Sequence, residues 1–79
     1  LPVCTTEQGI DIIKRSIKKL NDWKDIAELI PSKFKKTNIL KKSGLAGLFS
    51  ASLELSREGM IRIMQKKNFD KLFIKGKNE

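Results

Sequence analysis

A capping-box sequence opening a run of isoleucines at helical spacing, a Leu- and Ala-rich stretch closed by glycine, and a late switch to a two-residue apolar repeat predict a mainly α fold with a small antiparallel sheet. The 79 residues suffice for a single domain. A chain of this size buries only about 60% of the surface its unfolded form exposes, which leaves no volume for a deep cavity.

Thr5-Thr6-Glu7-Gln8 fits a capping box, in which Thr5 accepts from a first-turn N–H and Gln8 reaches back. Ile10, Ile13, Ile17 and Leu20 follow at intervals of three and four, while Lys14, Arg15, Lys18 and Lys19 take the wetter faces. The first helix is therefore expected over 6–20, with Gly9 weakening it by roughly 1 kcal/mol relative to alanine. Asn21 to Asp25 is too polar to extend the stripe and suits a turn or short strand ending in an Asp25 cap. Ile26, Leu29 and Ile30 give one short apolar face before Pro31, which places a second helix at 26–30. Ser32 to Ser43 carries Lys33, Lys35, Lys36, Lys41 and Lys42 without an acid, and reads as a connecting segment.

The third helix is expected over 44–58 with Ser43 as its cap. Its Leu45, Leu48, Phe49, Leu53 and Leu55 form a broad arc predicted to face the core, with small Ala46, Ala51 and Ser52 inside or beside it, leaving Gly47, Ser50, Glu54, Arg57 and Glu58 outward. Gly59 suits the left-handed residue that ends a helix. Ile61 and Ile63 then alternate with Met60, Arg62 and Met64, and Leu72 and Ile74 with Lys71, Phe73 and Lys75. Two antiparallel strands follow, over 60–65 and 71–75. Helix, short strand or turn, helix, helix, strand, strand is the order of a winged helix: a three-helix core covered on its open side by a wing of two or three strands.

Composition narrows the chemistry. There is no histidine or tyrosine and one cysteine, which removes the commonest general bases and zinc ligands. Asp22, Asp25 and Glu28 read as cap and first-turn residues, and Glu54 and Glu58 as a solvated i, i+4 pair beside Arg57. No serine has an activating partner and no glycine-rich phosphate loop is present, so catalytic, cofactor-binding and metal-binding residues are all expected to be absent. A lone Cys4 cannot form an internal disulfide, and no apolar run approaches the roughly 20 residues that cross a bilayer; a cytoplasmic, non-membrane protein is expected. Beginning at Leu1, the chain reads as the C-terminal piece of a longer polypeptide.

The net charge is +8, from 17 Lys and Arg against 9 Asp and Glu. Lysine supplies 14 of those cations and isoleucine 10 further residues, a bias that base composition also produces and that serves solubility as well as polyanion binding. Lys35, Lys36, Lys41, Lys42, Lys66 and Lys67 are the candidates for weak contact with nucleic-acid phosphates. The two carboxylates expected on the outward side of the third helix make it a poor reader of base edges. The wing offers something else. With Ile61, Ile63, Leu72 and Ile74 inward, alternation turns Met60, Met64 and Phe73 outward, with Phe69 near the tip and Arg62 and Lys71 at a polar rim, a surface suited to a protein partner.

The run Leu45-Ala46-Gly47-Leu48-Phe49-Ser50-Ala51-Ser52-Leu53-Glu54-Leu55, then Glu58-Gly59, Ile61, Ile63 and Gln65, then Phe69 and Phe73, resembles the C-terminal domain of bacterial segregation and condensation protein A, a kleisin. Asp22-Trp23 and Leu29-Ile30-Pro31 fit the same resemblance, which spans most of residues 20–75; Asp70 and Phe73 stand where relatives often carry Gly and Tyr. The resemblance implies a winged helix that docks on the head of an SMC ATPase in a chromosome condensation and segregation complex at the nucleoid. Segments upstream of such a domain would recruit a second, small winged-helix protein of the same complex. The alternative expectation is a DNA-binding winged helix of a transcription or chromosome-associated factor.

Overall fold

The computed structural model describes residues 3–67 and 71–76. It is mostly helical, with helices α1 (Thr6–Ser16) and α2 (Asn38–Arg57), and it carries a three-stranded antiparallel sheet of β1 (Lys24–Asp25), β2 (Ile61–Met64) and β3 (Phe73–Gly76). Strand order is β1-β3-β2, so β3 is central and β2 forms an edge.

The Thr5 box forms as its sequence implies: the Thr5 hydroxyl accepts from Gln8 N at 3.1 Å, and Gln8 Oε1 accepts from Thr5 N at 3.0 Å. The first helix does not stay α to residue 20. It tightens into a 3₁₀ turn over Ile17–Lys19, which swings Leu20 into the core and points the chain toward β1. The expected helix over 26–30 is likewise a 3₁₀ turn, Ile26–Leu29, capped by Asp25, whose carboxylate accepts from Ala27 N at 3.0 Å. Ile30 is extended at φ −64° and ψ 123°, the conformation that the following Pro31 favours.

The lysine-rich stretch is not merely a connection. A 3₁₀ turn over Ser32–Phe34 buries Phe34, and α2 then starts at Asn38 rather than 44. Thr37 is the cap, accepting from Leu40 N at 3.1 Å, and lysine's good helix propensity carries the first turns. Ser43, expected as the cap, lies inside the helix, where its hydroxyl accepts from Cys4 N at 3.0 Å. The helix ends at Arg57, with Glu58 as its C-cap. Gly59 follows at φ +79°, turning the chain into β2.

The strands run 61–64 and 73–76, against the 60–65 and 71–75 that alternation predicts. Met60 N instead donates to Leu55 O at 2.9 Å as part of the helix-ending turn, and Gly76 N extends β3 by donating to Leu20 O at 2.9 Å. Ile61, Leu72 and Ile74 pack into one core with Ile13, Leu20, Ile26, Phe34, Leu48, Ala51 and Leu55.

The largest departure from expectation concerns which side of α2 is inside. Leu48 and Leu55 are buried as expected, with Ala51 and Ser52, but Gly44 and Gly47 are buried too, whereas Leu45, Phe49 and Leu53 face water. The cause is the spacing between the helices. A β-carbon added to Gly9 would sit 2.5 Å from Gly47 O and 2.8 Å from the Ala51 Cβ, and one added to Gly47 would come within 2.6 Å of the Cys4 sulfur. The α1–α2 seam admits only small residues, so α2 turns its Gly and Ala row toward α1 and its bulkier row away. The buried Ser52 hydroxyl donates to Leu48 O at 2.7 Å, so this side carries no unmet polar group.

Gly9→Ala is therefore expected to destabilise the fold by about 2 kcal/mol or more, because overpacking exceeds the gain of about 1 kcal/mol in helix propensity. Gly59→Ala should lose only about 1 kcal/mol, from backbone strain at positive φ with open space around the added methyl. Urea titration of both variants measures the two values; a stable Gly9→Ala protein would contradict the tight seam.

Candidate docking surfaces

The sheet has an inner and an outer face. Ile63 lies opposite Ile74, and Ile61 opposite Gly76, on the side that meets the core. Met64 lies opposite Phe73, and Arg62 opposite Lys75, on the other side. Met60 and Met64 are each 36% exposed and Phe73 is half-buried, so the outer face joins apolar and cationic side chains from two neighbouring strands. Of the residues expected at a protein-binding surface, Arg62, Met64 and Phe73 come together here, and Met60 immediately precedes the strand. Lys71 is exposed in the approach to β3 and has interactions of its own. Phe69 lies outside the described residues.

Trp23 belongs to this face, and the sequence pattern does not show it. It is 37% exposed and lines a surface hollow with Asn21, Arg62, Lys75 and Gly76. Continuing the β1–β3 register by one residue sets Trp23 beside Lys75, which is itself opposite Arg62. Only the sheet order brings residue 23 near residue 62; a two-residue strand in a polar pentapeptide carries no such signal.

A second surface is the outer side of α2. Leu45, Phe49 and Leu53 are 36%, 38% and 41% exposed at spacings of four, one row along the helix, with Ile39 at 67% toward the N-terminal end. Periodicity assigns these leucines and Phe49 to the core and Gly47 to the outside; the structure reverses that assignment. The row of small residues at 44, 47 and 51 is the available signal, since a helix packs closest along its smallest side chains.

The basic candidates are all exposed. Lys35 and Lys36 precede α2, Lys41 and Lys42 lie in its first turns, and Lys66 and Lys67 follow β2. The first turn of α2 contains no acid. Positive side chains at the N-terminal end add to the positive end of the helix dipole, making this the most anion-attracting part of the helix. At the other end Arg57 pairs with Glu54 at 3.5 Å, an exposed contact of little energetic weight.

Among the described residues, no group of three or more His, Cys, Asp or Glu is placed to hold a metal ion, and no helix is long and apolar enough to cross a membrane. Cys4 is buried in the α1–α2 seam, and burial pushes its thiol pKa up, with Lys33 pulling less strongly the other way. A raised folded-state pKa favours the neutral thiol. Its contribution to stability is full below the unfolded thiol pKa of about 8.5 and is lost as pH rises through the folded value.

Cys4 in the folded protein at pH 8 is thus expected to react with a thiol reagent at least tenfold more slowly than in urea. Stability should also fall above about pH 9 more in the native chain than in Cys4→Ala, as thermal melts across pH would show. Equal labelling rates in folded and unfolded protein would remove Cys4 from the seam. Set beside known proteins, the chain matches no family model, no curated protein and no solved structure.

Proposed function

We propose that this chain is a non-catalytic docking domain of winged-helix architecture, working as the kleisin end that attaches to an SMC ATPase head. Two features support the architecture. The elements follow one another as helix, short strand, helical turn, helix, strand, strand, and the first strand joins the sheet beside the last. The family reading rests on the sequence resemblance; of its residues, Ala51, Leu55 and Ile61 lie in the core and Gly59 at the helix-to-strand turn, while Leu45, Phe49 and Leu53 are exposed.

The observation that carries the function is the outer sheet face. Met64 and Phe73 form a cross-strand pair on edge strand β2 and its neighbour, with Met60 and Arg62 beside them; both methionines are exposed and Phe73 is half-buried. An edge strand offers backbone groups for strand addition, and methionine adapts to an apolar partner surface. In this reading the domain works at the nucleoid, and upstream segments of the same polypeptide engage the small winged-helix protein of the complex. The outer side of α2 disfavours the DNA-reading alternative, because Leu45, Phe49 and Leu53 occupy the row where base edges would need hydrogen-bonding side chains. Any contact of the lysines with nucleic acid is then weak and indirect.

The purified domain should retain an SMC ATPase head in a pull-down, and Met64→Glu or Phe73→Glu should weaken that binding at least tenfold with circular dichroism unchanged. Retention that survives both substitutions rejects the outer sheet face as the interface. Duplex DNA titrated at physiological salt should give no sequence-dependent binding.

A further inference from the structure

A surface helix ordinarily turns its polar residues to water, yet α2 is apolar on two sides: Gly47, Leu48, Ala51 and Leu55 inside, Leu45, Phe49 and Leu53 outside. Helices apolar on both sides belong between two packing layers, and the described residues supply one. The exposed row runs along the helix for about 12 Å, at 1.5 Å per residue from Leu45 to Leu53, a ridge shaped for the groove of another helix.

Charge says which helix. From Pro31 to Leu53 the sequence holds no acidic residue, and its lysines include Lys41 and Lys42 at the N-terminal end of the row. Lys42 is within two turns of Leu45 and Phe49 on the same side, and the helix dipole adds positive potential at that end. Glu54 and Glu58 are turned away from the row by helical spacing, and Glu54 pairs with Arg57.

A second copy of this chain fits poorly. Antiparallel pairing about Phe49 would lay Leu45 on Leu53 but would also set Lys41 of one copy at Arg57 of the other, and parallel pairing would stack Lys42 on Lys42. Each copy also carries net +8.

We propose that the Leu45–Phe49–Leu53 row is a docking site for an amphipathic helix of a partner protein, one with an apolar i, i+4 face and carboxylates clustered at the end that lies over Lys41 and Lys42. This site is distinct from the outer sheet face and does not depend on it. Apolar contact supplies the affinity, and the lysines select the partner's orientation.

The test uses the 79-residue chain and a designed, fluorescently labelled peptide, about five helical turns long, with leucines on one face and a cluster of glutamates at one end. Fluorescence anisotropy at low salt should show saturable binding, weakened at least tenfold by Phe49→Glu and at least threefold by Lys41→Ala with Lys42→Ala. A peptide with lysine in place of the glutamates should bind at least tenfold more weakly. Leu53→Gln is a milder second variant should Phe49→Glu perturb the fold. Met64→Glu should leave peptide binding unchanged, so failure here and failure of SMC docking are separable. Equal binding of the acidic and basic peptides, no saturable binding of the acidic one, or a concentration-dependent dimer by sedimentation that Phe49→Glu abolishes would each overturn the proposal.

Discussion

The contact between α1 and α2 at Gly9, Gly47 and Ala51 governs this structure. Because not even a methyl group fits at Gly9 or Gly47, the roll of α2 about its own axis is fixed by backbone proximity rather than by its largest side chains. Cys4 completes the seam from the N-terminal side, its N–H donating to Ser43 and its sulfur lying where a Gly47 side chain would be. Once α2 is set this way, Leu48 and Leu55 lie in the core and the Leu45–Phe49–Leu53 row meets solvent.

The sheet follows from the same placement. Gly59 redirects the chain where α2 ends, Met60 closes the turn on Leu55 O, and Ile61 enters the core as the first residue of β2. Strand β3 then returns along β2 and reaches back to residues 20–25, joining the early and late parts of the chain into one sheet. Leu20 serves both layers: its side chain is in the core and its carbonyl holds Gly76.

Local signals in the sequence are legible wherever one residue type forces one geometry. The Thr5 box, the Asp25 cap, the extended Ile30 before Pro31 and the left-handed Gly59 can all be read directly, as can the two-residue alternation of β2. Helix limits are less legible, because lysine stretches that look like linkers are also good helix formers, and Thr37 competes with Ser43 as a cap. Of the inward side of α2, Leu48 and Leu55 are read as they lie, but Leu45, Phe49, Leu53 and Gly47 are misplaced, because hydrophobicity alone ranks Leu and Phe above Gly. Close helix packing uses the opposite ranking, and it wins here. Trp23 is out of reach for a different reason: its neighbours Arg62 and Lys75 come from strands far along the chain, and strand order alone unites them.

A helix committed on both sides has little room to drift. Along α2 Gly47 has no room for a side chain and Gly44 little, the other inner residues are buried, and the outer row carries apolar side chains at the water boundary, so few positions between 44 and 55 are free of one demand or the other. Natural variation in such a chain should collect in the turns and at exposed lysines, where side chains meet only water, and the segment from Gly44 to Leu55 should be the slowest part of the domain to change through descent.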